Sequence, residues 1–279
     1  MGARSTGRNV GRRRDRTSAP DPSDTTASAR LFAESFWLAR KEIRWAWPSY
    51  VMTVLVVLFL GLGAALSLSV GIPESEDFVL REHETEHFYS AFFADYLFLL
   101  VCAVLGANTI PRYYTQNWRD TFSSRLAFLR GLPVPAVALV GSRMISMLFA
   151  LFLNALAFFL PVFFLSGLGE GLGIEAYVFF CAVWIGYGLL GSGLCLYFEF
   201  GVSGRVYAIV SYCFAISLLI AVALLELTRY SGLVGRIAWL VQGSHGALLI
   251  NFSILTGGAA FVLLSIATVH HLQNGDPPT

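Results

Sequence analysis

The chain has 279 residues, 56% of them hydrophobic and 13% charged, with a formal net charge of +1. Its 26 glycines raise the apolar share to about 65%, against about 45–50% in soluble domains. This composition excludes a soluble globular domain and a disordered chain and points to a polytopic helical membrane protein, and the bulk charge implies no nucleic-acid partner.

Residues 1–30 form a separate zone of seven arginines, three aspartates and no aromatic residue. The segment buries too little apolar surface to order itself and reads as a disordered basic tail. It has no apolar core of the kind a signal peptide needs. Residues 31–47 read as an amphipathic helix lying in the plane of the membrane. Phe32, Phe36, Ala39, Ile43 and Trp47 share one face, while Glu34, Arg40, Lys41 and Arg44 lie off it. Trp37, Trp45 and Trp47 suit the headgroup level, and Pro48 predicts a sharp turn into the bilayer.

Six spans follow, each near the 20 or so apolar residues a helix needs to cross a core of about 30 Å. They are expected at Ser49–Val70, Ala91–Ile110, Ala136–Leu165, Ala176–Phe198, Val206–Leu227 and Ala247–Val269. The third is overlong, and Ala136–Met144, which carries Arg143, is expected to project past the headgroups. Placing the amino terminus in the cytoplasm puts 16 of the 19 basic residues inside, as the positive-inside rule requires. Both termini, including the tail 271–279, are then expected in the cytoplasm of a multi-pass cell-membrane protein.

Between the second and third spans, Trp118, Arg119 and Asp120 precede an expected short helix, Thr121–Arg130. Phe122, Leu126 and Leu129 form its apolar stripe, Arg125 and Arg130 flank it, and Asp120 or Thr121 can cap it. Such a helix can dock on a soluble partner or rest on the bilayer. In the fourth span Gly186, Gly188, Gly191 and Gly193 crowd together with Ser192. Ala182–Gly186, Gly188–Ser192 and, in the first span, Gly61–Ala65 are spaced for close helix packing, expected within the subunit.

Charged residues within spans default to functional candidates. Asp95 lies about one turn from the outer end of the second span, where it is expected to reach water. Glu199 and Arg205 flank the turn between spans four and five and form a candidate ion pair. Asn154 and Asn251 lie deeper and could bond helices together. No chain of buried carboxylates suited to a proton- or sodium-coupled carrier is present. Cys102, Cys181, Cys195 and Cys213 all sit in apolar runs without C-x-x-C pairing, and the histidines show no metal-binding spacing, so no metal site is expected. The sole lysine, Lys41, has no glycine in the ten residues before it. A P-loop is therefore absent, and any ATP-driven function needs a separate ATPase chain.

The surface helix, six spans, the run R-L-A-F-L-R-G-L-P at Arg125–Pro133, and Ser142-Arg143 in the long third helix resemble ABC-2-type exporter permeases. So does the block Trp184–Arg205, W-I-G-Y-G-L-L-G-S-G-L-C-L-Y-F-E-F-G-V-S-G-R. The resemblance covers roughly residues 31–270. It implies an all-α permease subunit that forms a pathway with a second permease subunit, identical or different, above two ABC ATPase subunits. ATP and Mg would be held by the ATPase and no cofactor by this chain. The resemblance assigns ATPase contact to Trp118, Arg119, Asp120, Phe122, Arg125, Leu126, Leu129 and Arg130, and to the surface helix with Phe36, Arg40, Lys41 and Arg44. It also implies a short re-entrant element between spans five and six, where 228–246 is too short and interrupted to span.

Two other classes compete. Gly201-Val202-Ser203-Gly204 matches the G-x-S-G of rhomboid-like intramembrane serine proteases, with His245, His270 and His271 as candidate bases. In the expected topology, however, Ser203 sits in a cytoplasmic turn and His245 on the opposite side. A non-transporting membrane partner of an ATPase is the other alternative.

Overall fold

The computed structural model describes residues 22–71, 85–107, 135–227, 232–243 and 246–274. Every regular element among these residues is an α-helix: α1 (Pro22–Gly71), α2 (Thr85–Ala103), α3 (Ala136–Leu165), α4 (Leu168–Gly201), α5 (Gly204–Leu227), α6 (Leu233–Gln242) and α7 (Gly246–Asn274). Five of them, α1, α3, α4, α5 and α7, are long and apolar enough to cross a membrane. The chain is thus a polytopic helical membrane protein by architecture.

The amino-terminal side departs from expectation in where its helix starts. The helix begins at Pro22, inside the zone expected to be disordered, and runs as one 50-residue element through Pro48. At 1.5 Å per residue it is about 75 Å long, more than twice a hydrocarbon core. The expected surface segment 31–47 and the first span are thus continuous helix through Pro48. A proline removes one backbone hydrogen bond, but here the residues on either side of it contact α3. Ser35 lies against Gly141, Tyr50 reaches the Ser146 carbonyl, and Gly61 meets Phe158. From Ser35 to Tyr50 these contacts advance fifteen residues along α1 but only five along α3, whereas from Tyr50 to Gly61 they advance eleven against twelve, so the part of α1 before Pro48 crosses α3 and the part after it runs alongside.

The second span also differs. Its helix stops at Ala103 rather than Ile110, and a turn at 104–106 follows. Its apolar part, Ala91–Ala103, is shorter than the five long spans.

The packing pairs fix the direction of each helix. Along α1 and α3, Ser35 pairs with Gly141 and Gly61 with Phe158, so the two run parallel. Along α4 and α7, Gly186 meets Gly257 and Gly193 meets Phe261, again parallel. The α3–α4 hairpin turns at Ser166-Gly167, where Gly167 takes the left-handed φ of 73° that glycine adopts without strain. A second break at Gly173, φ 75° and ψ 161°, bends the start of α4. The α4–α5 hairpin turns at Val202-Ser203. Spans α1, α3 and α5 therefore point one way, and α2, α4 and α7 the other. The side on which α1 begins, hereafter the base, also holds the start of α3 and the ends of α4 and α7.

Helices in lipid gain little from apolar burial and depend on close packing and hydrogen bonds. The α4 glycines serve both faces of that helix. A Cβ on Gly188 would lie 2.9 Å from the Cys102 carbonyl of α2, and one on Gly193 would lie 2.9 Å from the Phe261 Cα of α7. Gly191 packs on the Ala103 carbonyl and Gly257 on that of Gly186. All these seams lie within the chain. Above them an aromatic cluster interlocks α2, α3 and α4. Phe98 sits 5.0 Å from Phe158, 5.1 Å from Trp184 and 5.7 Å from Phe180 between ring centroids.

Candidate functional site

The most polar buried site lies at the base, where α1, α3 and α4 meet. Arg143 enters from the second turn of α3 and is 7% exposed. Its Nε donates to Glu199 Oε2 at 2.9 Å, and its Nη2 lies 2.9 Å from Glu199 Oε1, a bidentate pair with α4. Its Nη1 donates to Glu42 Oε1 of α1 at 2.8 Å. The Ser146 hydroxyl, one turn along α3, is within 3.3 Å of the other Glu42 oxygen and 3.0 Å of the Ser142 carbonyl. One guanidinium thus bridges two carboxylates from two other helices, using the planar fork that distinguishes arginine from lysine. The three side chains carry a formal charge of −1 between them. Glu199, at 14% side-chain exposure, is more enclosed than Glu42, at 23%.

This geometry revises the pairing expected at the α4–α5 turn. Glu199 is held by Arg143, 56 residues away in sequence, and Arg205 is exposed at the first turn of α5. Arg143, in the segment expected to project past the headgroups, is enclosed by α1 and α4.

A second polar feature ends α2 inside the bundle. The Asn154 amide, 2% exposed near the middle of α3, donates to the Leu105 carbonyl at 2.7 Å. The backbone N–H groups of Val104 and Ala107 close tight turns onto Val101 and Val104. Leu105 and Ala107 are buried, so the non-helical backbone here is enclosed by protein, as lipid requires. Asn251, the other deep asparagine in the sequence, is exposed on α7.

A third feature lies at the far side. Asp95, 4% exposed, does not reach water. Its carboxylate accepts the backbone N–H groups of Leu233 and Val234, the latter at 2.9 Å. It therefore caps the first turn of α6 from another helix and complements the positive end of that helix. Gln242 ties the other end of α6 to the Gly171 carbonyl at 3.1 Å. The ten-residue α6 buries Val234, Ala238 and Val241. It occupies the place in the chain where a short element was expected between the last two spans.

The residues expected to contact an ATPase, Trp118, Arg119, Asp120, Phe122, Arg125, Leu126, Leu129 and Arg130, lie outside the described residues. Phe36, Arg40, Lys41 and Arg44 are all exposed on α1. Ser203 is half-buried in the α4–α5 turn, where its carbonyl accepts the Tyr207 N–H. Of the two described histidines, His270 pairs with Asn274 and His271 lies beside Gly201. Among the described residues no group of histidine, cysteine, aspartate and glutamate could hold a metal ion. The sequence offered Arg143, Glu199 and Asp95 as charges but no signal for their partners. Glu42 carried none, because its role follows from tertiary packing alone. Compared with protein-family models, with curated proteins and with solved structures, the chain matches none.

Proposed function

We propose that the chain is the membrane subunit of an ATP-driven ABC exporter, working with a second permease subunit and a separate ATPase chain. The observation that carries this reading is the fastened base. The alternating helix directions put the start of α1, the start of α3 and the ends of α4 and α7 on one side. There Arg143 ties three helices into one unit. The segment 108–134, in which the ATPase-contact residues fall by resemblance, leads directly into α3 and so into that unit. A push on it would be carried through Arg143 to α1 and α4 rather than absorbed by one helix. The excess of arginine toward this side in the sequence supports a cytoplasmic base in the cell membrane.

The test is affinity capture of the tagged chain from its own cells in mild detergent, with mass spectrometry of co-purifying proteins. A P-loop ATPase at near-equal stoichiometry, with hydrolysis that depends on this chain, is the expected result. A clean chain with no ATPase refutes the reading.

A further inference from the structure

The face of α1 that packs on α3 is not its apolar face. Ser35 and Ala39 are buried and Glu42 is half-buried on the α3 side. Small side chains there allow the close approach seen where a Cβ on Gly141 would lie 2.8 Å from Ser35 Oγ. On a helix of 3.6 residues per turn, Phe32, Phe36 and Trp47 fall on the flank beside this seam. They are left 68%, 54% and 51% exposed. Next to that flank, farther from α3, stand Arg40 and Arg44, with Lys41 behind them. The Lys41 ammonium lies 5.2 Å from the Trp37 ring. Over residues 29–48 the exposed charges are four cations, including Arg30, against Glu34 alone. The segment leads without interruption into the membrane span.

From this arrangement we propose that residues 30–47 of α1 bind anionic phospholipid at the membrane surface on the base side. The aromatic flank enters the interface, and Arg40, Lys41 and Arg44 contact headgroup phosphates. An apolar flank beside a cationic crest is the geometry of interfacial helices, and a net positive surface directly preceding a span meets anionic headgroups first. The inference does not depend on the exporter reading.

The sole lysine provides the probe. The full chain is titrated in detergent with phosphatidylglycerol and with phosphatidylcholine, and bound lipid is counted by native mass spectrometry. In parallel, acylation of Lys41 by a soluble amine reagent is followed by peptide mass spectrometry. Phosphatidylglycerol is expected to bind preferentially and to slow Lys41 acylation severalfold. Arg40→Gln with Arg44→Gln, both at exposed positions, should weaken that binding about thirtyfold while leaving phosphatidylcholine unchanged. Equal binding of the two lipids, unchanged acylation, or an unaffected double variant would overturn the proposal. So would Lys41 protection that requires another protein instead of phosphatidylglycerol.

Discussion

Replacing Arg143 with methionine tests whether the base is held by charge. The substitution keeps a long unbranched side chain but removes three nitrogen contacts, two to Glu199 and one to Glu42. Hydrogen bonds to charged groups contribute about 1.5–3 kcal/mol each, yet their sum overstates the loss because forming them first required desolvating all three side chains. The better guide is the cost of leaving a buried charge unpaired, about 3–5 kcal/mol. Glu199, the more enclosed carboxylate, bears most of it, and Glu42 can turn toward water. Glu42→Gln alone keeps an acceptor for Nη1 and should cost about 1 kcal/mol or less. The decisive variant combines Arg143→Met with Glu42→Gln and Glu199→Gln. With no charge left to bury, stability should return to within about 1–2 kcal/mol of the parent. Equilibrium unfolding by SDS in mixed micelles reads all four proteins on one scale. If Arg143→Met costs less than about 1 kcal/mol, or the triple variant is no better than the single one, the base is not organised by these charges.

Further substitutions address the other polar contacts and seams. Asp95→Ala should expose the Leu233 and Val234 amides, cost about 1–2 kcal/mol, and raise hydrogen exchange within 233–242. Asp95→Asn keeps one acceptor oxygen for two amides, so its exchange should fall between the parent and Asp95→Ala. Gly257→Ala should cost about 1–3 kcal/mol, because its methyl group meets the Gly186 carbonyl. The adjacent Gly258→Ala, with nothing within 4 Å, should be neutral or stabilising by up to about 1 kcal/mol; unfolding curves of the pair separate seam packing from helix propensity. Replacing Phe122, Leu126 and Leu129 with glutamine should abolish ATPase co-purification while the purified chain keeps its unfolding midpoint. Retained ATPase would remove that segment from the coupling role.

What was legible in the sequence follows from which forces act locally. Span-length apolar runs and the alternation of helix directions need only hydropathy and short turns. The glycines of α4 were readable because small residues at helical spacing have one main use in lipid, although the sequence does not say that Gly188 and Gly191 face α2 while Gly186 and Gly193 face α7. The end of α2 was hidden because Cys102–Ala107 is as apolar as the helix before it. It stops where the Leu105 carbonyl finds Asn154 and the Ala103 carbonyl meets Gly191, both far along the chain.

The two faces of α1 follow from a more general rule. In a soluble protein the apolar stripe of an amphipathic helix marks the side that packs on the rest of the fold. Beside a bilayer, apolar side chains are as well placed against lipid, and small residues win the helix interface because they let backbones approach. Ser35 and Ala39 therefore face α3, and Phe32, Phe36 and Trp47 face outward. The same inversion explains which residues set the arrangement of the bundle. Asn154 joins α2 to α3, Asp95 joins α2 to α6, Ser253 bonds the Val183 carbonyl across the α4–α7 seam at 2.7 Å, and Arg143 joins α1, α3 and α4. Apolar contacts discriminate weakly between one helix and lipid, whereas each of these polar groups would be left unsatisfied in a different arrangement. In this chain the few buried polar residues specify who packs against whom, and the many apolar ones specify only that the helices lie in the membrane.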